Sequence, residues 1–133
     1  MDVNLDTNAI AESLYRAVAI AQGNEPNWDG LSLDDQMMYI RVASKGPAVA
    51  QDMEGDAWRD VAFEMYRISN AMDVDEQQLM QSWINLSLVG RLVWEIIARH
   101  LVMLLDADDL DMGNAEAMWQ PWFSKRMQDE EKA

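Results

Sequence analysis

Cysteine is absent from this chain of 133 residues, histidine occurs once and proline occurs three times. Without cysteine there is no disulfide bond and no thiolate nucleophile. The one histidine, His100, leaves a zinc site to carboxylates alone, and a Ser–His nucleophile would have to be built on this single side chain. We therefore expect a structural histidine at position 100. We expect no enzyme activity and no catalytic, cofactor-binding or metal-binding residue.

Loops that bind phosphate or calcium are lacking as well. No cluster of glycines follows a strand pattern, so the chain has no Gly-rich phosphate loop. The aspartates of residues 106–111 suggest an EF-hand, whose loop needs a glutamate at position 12. Counting from Asp106 or from Asp109 places alanine or glutamine at that position. The segment is therefore predicted to be a solvated acidic turn.

Positive charge is scarce, with 10 basic residues against 24 acidic ones and a formal net charge of −14. Half of the residues are apolar, which predicts a folded chain rather than a disordered one. Direct binding to nucleic acid or to an anionic membrane is disfavoured, because both need Lys and Arg to neutralise phosphates. The acidity itself has two explanations that composition leaves open. The negative charge either only keeps the protein soluble or also attracts a partner with a basic surface.

Residues 83–105 are mostly apolar and long enough to cross a bilayer. They also contain Arg91, Glu95 and Arg99, and each such charge costs about 2.5–3.5 kcal/mol near a membrane centre. Each Leu, Ile or Val returns only about 0.3–0.6 kcal/mol, so the segment is predicted to be a buried core helix. Residues 1–6 carry two aspartates and no basic residue, unlike a signal peptide. We therefore expect a cytoplasmic location.

Hydrophobic periodicity predicts an all-α fold with a single domain over residues 1–133, in which a charged tail frays from about residue 128. The expected architecture is a bundle of four long helices and a short C-terminal helix. Start and stop signals place the long helices at about residues 7–22, 32–46, 47–72 and 75–105. Pro47 is expected to end the second helix, because proline cannot continue the hydrogen-bond ladder. The fourth is apolar nearly all round, so it is expected to be the central helix.

Each long helix also has a predicted inner face or a predicted start. The predicted inner faces comprise Ile10, Leu14, Ala17, Val18 and Ala21 in the first helix, Leu33, Met37 and Ile40 in the second, and Trp58, Val61, Met65, Ile68 and Met72 in the third. Asp75 is predicted to cap the fourth helix, with Val74 and Leu79 forming a hydrophobic staple. Within that helix, Arg91, Glu95 and Arg99 are spaced by four and predict i,i+4 ion pairs.

One row of carboxylates suggests a binding face. Asp52, Asp56, Asp60 and Glu64 are spaced by four, so on one helix they would rise by about 6 Å per step. Like charges at this spacing are mildly unfavourable for folding, and a strand of duplex DNA carries one charge per about 3.4 Å of axis. The row, aided by Asp106, Asp108, Asp109 and Asp111, is therefore a candidate partner-binding surface that mimics nucleic acid. An ordinary solvated face remains the alternative.

A second candidate surface lies near the C-terminus. Trp119, Trp122 and Phe123 cluster around Pro121, and the chain is rich in methionine, with 11 copies, and in tryptophan, with 6. Methionine fills helical cores and is also frequent on surfaces that bind several partners. The cluster therefore either caps the core or contacts a partner.

A short pattern in the first third of the chain resembles one found in many short bacteriophage proteins. There, an alanine-rich helix leads through a loop to a Trp-x-x-Leu turn and then to a helix with basic and aromatic positions. The matching features are the helix of residues 10–21 followed by Trp28, Leu31, Gln36, Tyr39 and Ala43. Gln36 stands where that pattern usually has arginine. The resemblance implies a phage or prophage origin and carries no functional residue.

Together, the resemblance and the charge predict a non-enzymatic inhibitor of a host system that handles nucleic acid, of the anti-CRISPR or anti-restriction type. Its partner would be a protein complex with a basic surface, met in the cytoplasm of the host cell. The alternative is a helical adaptor or assembly protein that binds through a Met- and Trp-rich surface. A homodimer is compatible with either function.

Overall fold

The computed structural model describes residues 7–52, 58–70, 75–107 and 118–131, with side chains at 7–48, 61–70, 75–104 and 118–129. All regular structure in these ranges is helical, which confirms the all-α prediction. The elements are α1 (Thr7–Ala21), a 3₁₀ turn (Trp28–Gly30), α2 (Leu33–Asp52), α3 (Trp58–Ser69), α4 (Glu76–Ile84), α5 (Leu88–Ala107) and α6 (Trp119–Glu131). Six α-helices therefore take the place of the predicted four long helices and one short one.

Helix α1 follows its prediction closely. The five residues of the expected apolar face are all buried, and Leu14 and Ala17 are completely inaccessible. The helix ends in a turn where Gly23 has a φ of +77°, a conformation that favours glycine. The N–H of Gly23 donates to Ile20 O, and the N–H of Asn24 donates to Ala19 O, as in a Schellman motif.

Helix α2 begins as predicted, because Ser32 Oγ accepts a hydrogen bond of 3.2 Å from the N–H of Asp35. Its predicted inner face is wrong at two of three positions, since Leu33 is 72% exposed and Met37 is 41% exposed. Ile40, the third residue, is partly buried and packs against the core. Tyr39 and Val42 are buried instead. On this buried face, Tyr39 packs against the rings of Tyr15 and Trp28, and Gly46 approaches Leu101 and Met65.

The prediction that Pro47 ends the second helix is also wrong. Helix α2 continues through Pro47 to Asp52, although proline leaves the carbonyl of Ala43 without its usual N–H partner. Packing against α3 and α5 holds the helix together at this point. Gly46 makes the contact close, since a Cβ there would lie 2.8 Å from Leu101 Cδ2 and 3.0 Å from Met65 Sδ.

The predicted central helix of residues 75–105 is two helices, α4 and α5, separated by residues 85–87. Asn85 closes α4, and Ser87 Oγ accepts a hydrogen bond of 3.1 Å from the N–H of Gly90 at the start of α5. This serine is a usable cap signal that the continuous apolar pattern concealed. Helix α5 alone occupies the centre, in contact with α1, α2, α3 and α6.

The core is built mainly around α5. Ile96, Ile97, Leu101 and Leu104 are completely buried on it. On α3, Val61 and Met65 are buried as predicted, and Ile68 is partly buried against the core. The side chains of Trp58 and Met72, also predicted for this face, lie outside the described residues.

The start of α4 matches the prediction at Asp75, whose carboxylate accepts a hydrogen bond of 3.3 Å from the N–H of Gln77. Leu79, one half of the predicted staple, is buried. Val74, the other half, lies outside the described residues. Among the helices described here, none is both long enough and apolar enough to cross a membrane.

We predict that Gly46→Ala destabilises the protein by about 1–3 kcal/mol, because the added methyl group would overpack the contact of α2 with Leu101 and Met65. Gly90→Ala is the matched control. A Cβ at Gly90 would meet its nearest atom at 3.4 Å, so helix propensity should leave that variant neutral or stabilise it by up to about 1 kcal/mol. Denaturant unfolding of both variants checks this, and equal effects would contradict the packing role of Gly46.

We also predict that Asp75→Ala lowers the free energy of unfolding by about 0.5–2 kcal/mol, through loss of the helix cap. Asp75→Asn retains a capping oxygen and should stay close to the wild type. The measurement is the midpoint of chemical denaturation. An alanine variant as stable as the asparagine variant would show that the cap contributes nothing.

Candidate functional site

A buried chain of hydrogen bonds connects three helices through His100, which is fully inaccessible. Its Nε2 lies 3.0 Å from Ser13 Oγ on α1. Its Nδ1 accepts a hydrogen bond of 3.0 Å from the indole Nε1–H of Trp119 on α6. Since an indole nitrogen can only donate, Nδ1 must be the unprotonated nitrogen, and the proton is on Nε2.

The orientation of this chain is wrong for nucleophilic catalysis. A histidine that activates serine must present an unprotonated nitrogen to the hydroxyl, whereas here Nε2–H donates to Ser13. Ser13 and Trp119 are buried too, so no substrate reaches the hydroxyl. Burial lowers the pKa of His100 to about 4, which keeps the ring neutral at physiological pH. The geometry supports the structural role expected for His100.

A second polar cluster on α5 binds the C-terminal helix. Glu95 is nearly buried, and its Oε1 accepts hydrogen bonds from Arg99 Nε at 3.2 Å and Nη2 at 3.0 Å. Arg126 Nη1 on α6 donates to the same oxygen at 3.2 Å. Both guanidinium groups also lie over the ring of Trp122, at 5.6 Å and 5.3 Å from its centroid. The cluster therefore combines ion pairing with cation–π contacts.

The i,i+4 pairing predicted along α5 is only half present. Arg99 pairs with Glu95 as expected. Arg91 instead donates from Nη2 to the carbonyl of Ile84, at the C-terminus of α4. Arg126, the additional partner of Glu95, is 31 residues away and gave no signal in the sequence.

The predicted aromatic surface is largely interior. Trp119 is 2% exposed, so its ring is not a surface contact. Trp122 and Phe123 are half-buried and pack against the core. Of this candidate binding set, only the outer parts of Trp122 and Phe123 reach solvent.

The predicted carboxylate row is covered by the structure only in part. Asp52 lies in α2 and Asp60 in α3, but their side chains, like all of Asp56, are outside the described residues. The same holds for the side chain of Asp106 in α5 and for Asp108, Asp109 and Asp111. Glu64 is half-buried and lies 3.7 Å from Arg67 Nη2. The predicted single helix of residues 47–72 is therefore divided between α2 and α3, which pack against each other, so the prediction that the row climbs one helix is wrong. A binding role for these carboxylates remains a prediction.

A different group of carboxylates surrounds the 3₁₀ turn. Glu25, Asp29, Asp34 and Asp35 are all exposed around the 3₁₀ turn and the start of α2, and we call this group the acidic corner. The backbone here is fixed by the bond of 3.0 Å from the N–H of Asn27 to the hydroxyl of Tyr15. These carboxylates are therefore held on a defined backbone.

The residues that resemble the phage pattern have a structural role in this corner. Gln36 Nε2 donates to the carbonyl of Trp28 at 2.9 Å, which ties the 3₁₀ turn to α2. The rings of Tyr15, Trp28 and Tyr39 pack together with centroid separations of 5.8–6.3 Å. Burial, with Asp35 nearby, raises the pKa of the Tyr39 hydroxyl, so the ring stays uncharged. Ala43 is buried behind it.

Several basic side chains, in contrast, form hydrogen bonds or ion pairs with other groups of the protein. Arg41 Nη2 donates to the carbonyl of Ser69 at 2.8 Å, and Arg67 pairs with Glu76 at 3.3 Å. With the arginines of α5 and α6 already described, at least five of the ten basic side chains are used internally, among them Arg41, Arg67, Arg91, Arg99 and Arg126. The surface is therefore left with an excess of negative charge.

No protein-family model, no curated protein and no solved structure matches this chain. Within the described ranges, no group of three His, Asp or Glu side chains is placed to hold a metal ion.

We predict that acid weakens the fold through His100. Above about pH 6.5 the ring is neutral in both states and stability is unaffected. As the pH falls from 6.5 towards about 4, the unfolded chain binds a proton that the folded chain does not, so the free energy of unfolding drops by about 3 kcal/mol.

The matched variant for this prediction is His100→Gln, which does not titrate. It should be less stable than the wild type at neutral pH, because the bonds to Ser13 and Trp119 are disturbed. Denaturant unfolding across this pH range should show the stability difference between the two proteins shrinking as the pH falls. A constant difference would mean that His100 is not held neutral by burial.

Proposed function

We propose that this chain is a non-enzymatic binding protein that presents a negative surface to a protein with a basic, nucleic-acid-binding groove. The observation that carries the proposal is the uneven use of charge. At least five arginines are bound to the protein's own carboxylates and carbonyls, whereas Glu25, Asp29, Asp34 and Asp35 face solvent. A surface of this kind attracts basic partners and repels nucleic acid itself.

The acidic corner supports the proposal because its backbone is fixed before binding. Carboxylates that are already positioned lose less conformational entropy on association than carboxylates on a free loop. The predicted row of Asp52, Asp56, Asp60 and Glu64 would extend the same field along the chain. An inhibitor that mimics nucleic acid needs charges of this kind in a lasting arrangement.

The resemblance to short phage proteins adds a more specific proposal, which is that the chain is a phage-encoded inhibitor of a host system that handles nucleic acid. An inhibitor of a host restriction enzyme or CRISPR effector would find a basic channel on either target.

The adaptor function, with or without homodimerisation, is favoured by a different observation. Several large apolar side chains are exposed, comprising Leu33, Met37, Met80, Ile84, Val89 and Met118. Leu33 and Met37 lie one turn apart on α2, and Met80 and Ile84 lie one turn apart on α4, so each pair exposes a small apolar surface. Apolar surface of this kind is available for a protein–protein contact. Three of the six are methionines, which adapt to partners of different shape.

Reversing charge in the carboxylate row tests the first proposal. We expect Asp56→Lys/Asp60→Lys to abolish capture of nucleic-acid-binding proteins from a bacterial lysate, since each lysine would meet a like charge in a basic groove. Wild-type capture should weaken steeply between about 0.05 M and about 0.5 M salt and should be competed by duplex DNA. Circular dichroism should show an unchanged fold.

The control is Glu12→Lys/Asp129→Lys, which changes net charge equally at exposed positions on α1 and α6. If the control fails to bind as well, only overall charge matters and no particular face is used. If both variants bind as the wild type does and Trp122→Ala does not, the adaptor function replaces the inhibitor function. If Asp34→Asn/Asp35→Asn alone loses binding, the contact is the acidic corner rather than the row.

A further inference from the structure

A cavity of about 280 Å³ lies where α3, α4, α5 and α6 meet. Its apolar wall includes Trp83, Ile84, Leu88 and Leu92. This volume is at the lower end of the roughly 300–1,000 Å³ typical of ligand pockets, so it suits a ligand on the order of ten non-hydrogen atoms.

The polar part of the lining consists of Arg91, Glu95 and Arg126. The carboxylate of Glu95 is already neutralised, because its Oε1 accepts hydrogen bonds from both Arg99 and Arg126. The guanidinium groups of Arg91 and Arg126 therefore share the cavity lining with the carboxylate of Glu95. That carboxylate is also paired with a third guanidinium group, that of Arg99. The cavity is a locally positive place in a chain whose net charge is −14.

Both lining arginines retain unused donors. Arg126 contacts Glu95 through Nη1, and in the described ranges its Nη2 and Nε have no hydrogen bond. Arg91 uses Nη2 on the carbonyl of Ile84, and among the described residues its Nη1 and Nε have no other acceptor. Planar guanidinium groups with paired free donors match the geometry of a carboxylate.

From this arrangement we infer that the cavity binds a small monocarboxylate with an aromatic or short hydrocarbon body. The body packs against Trp83, Leu88 and Leu92, and the carboxylate accepts hydrogen bonds from Arg91 and Arg126. Phosphate-sized inorganic anions lack the apolar part, and neutral analogues lack the acceptor charge. This site is separate from the acidic surface and does not depend on the function proposed for it.

The test uses 3-phenylpropionate as the probe and 3-phenylpropionamide as its neutral counterpart, both titrated calorimetrically into the full chain. The carboxylate should bind in a 1:1 ratio and about tenfold more tightly than the amide, since hydrogen bonds to charged groups are stronger than neutral ones. Because the overall charge repels anions, this preference requires a local positive site. Methyl NMR signals of Ile84, Leu88 and Leu92 should shift on binding.

The variants Arg91→Gln and Arg126→Gln should each weaken binding of the probe by about tenfold. Lys125→Gln is the matched control, because it removes the same charge from the same helix as Arg126 at an exposed position outside the cavity. Arg91 does not bond to Glu95, so its variant decides the outcome even if Arg126→Gln fails to fold. Equal binding of the amide, equal loss in the lysine variant, or no saturable binding at millimolar concentrations would each overturn the inference.

Discussion

Burial of α5 is the constraint on which the rest of this structure depends. The helix is covered by α1, α2, α3 and α6, yet it carries two side chains that cannot be buried without partners, His100 and Glu95. An unpaired polar group in such a position costs on the order of 1–3 kcal/mol, and an unpaired charge costs more. The surrounding helices must therefore supply hydrogen bonds as well as apolar surface.

Those hydrogen bonds select which helices pack and where they do so. Ser13 on α1 accepts from one nitrogen of His100, and Trp119 on α6 donates to the other, so a single ring links three helices. A second hydrogen bond between α5 and α6 runs from Arg126 to Glu95. Apolar contacts alone tolerate small shifts along a helix, whereas these bonds of about 3 Å do not.

The same pairing determines what the surface offers. Arginines that neutralise Glu95 or bond to helix-end carbonyls are not available to neutralise surface aspartates. The protein therefore separates its charges, with positive groups gathered around the cavity between α3, α4, α5 and α6 and negative groups exposed at the acidic corner. This separation of charge supports both proposals: a basic protein binds at the negative surface, and a small carboxylate binds in the cavity.

The sequence by itself determined the helical class, the buried face of α1, the caps at Ser32 and Asp75, and a central helix within the apolar segment of residues 75–105, because each depends on local spacing or on a local side chain. The break at residues 85–87, which leaves only α5 in the centre, was not predicted. Tertiary structure decided the rest. The face of α2, its continuation through Pro47, the partners of His100 and the bond from Arg126 to Glu95 arise from residues that are distant in the chain. The helix continues through Pro47 because packing of Gly46 on Leu101 and Met65 outweighs one missing hydrogen bond. A local sequence pattern cannot predict this, because Leu101 and Met65 are far from Pro47 in the chain.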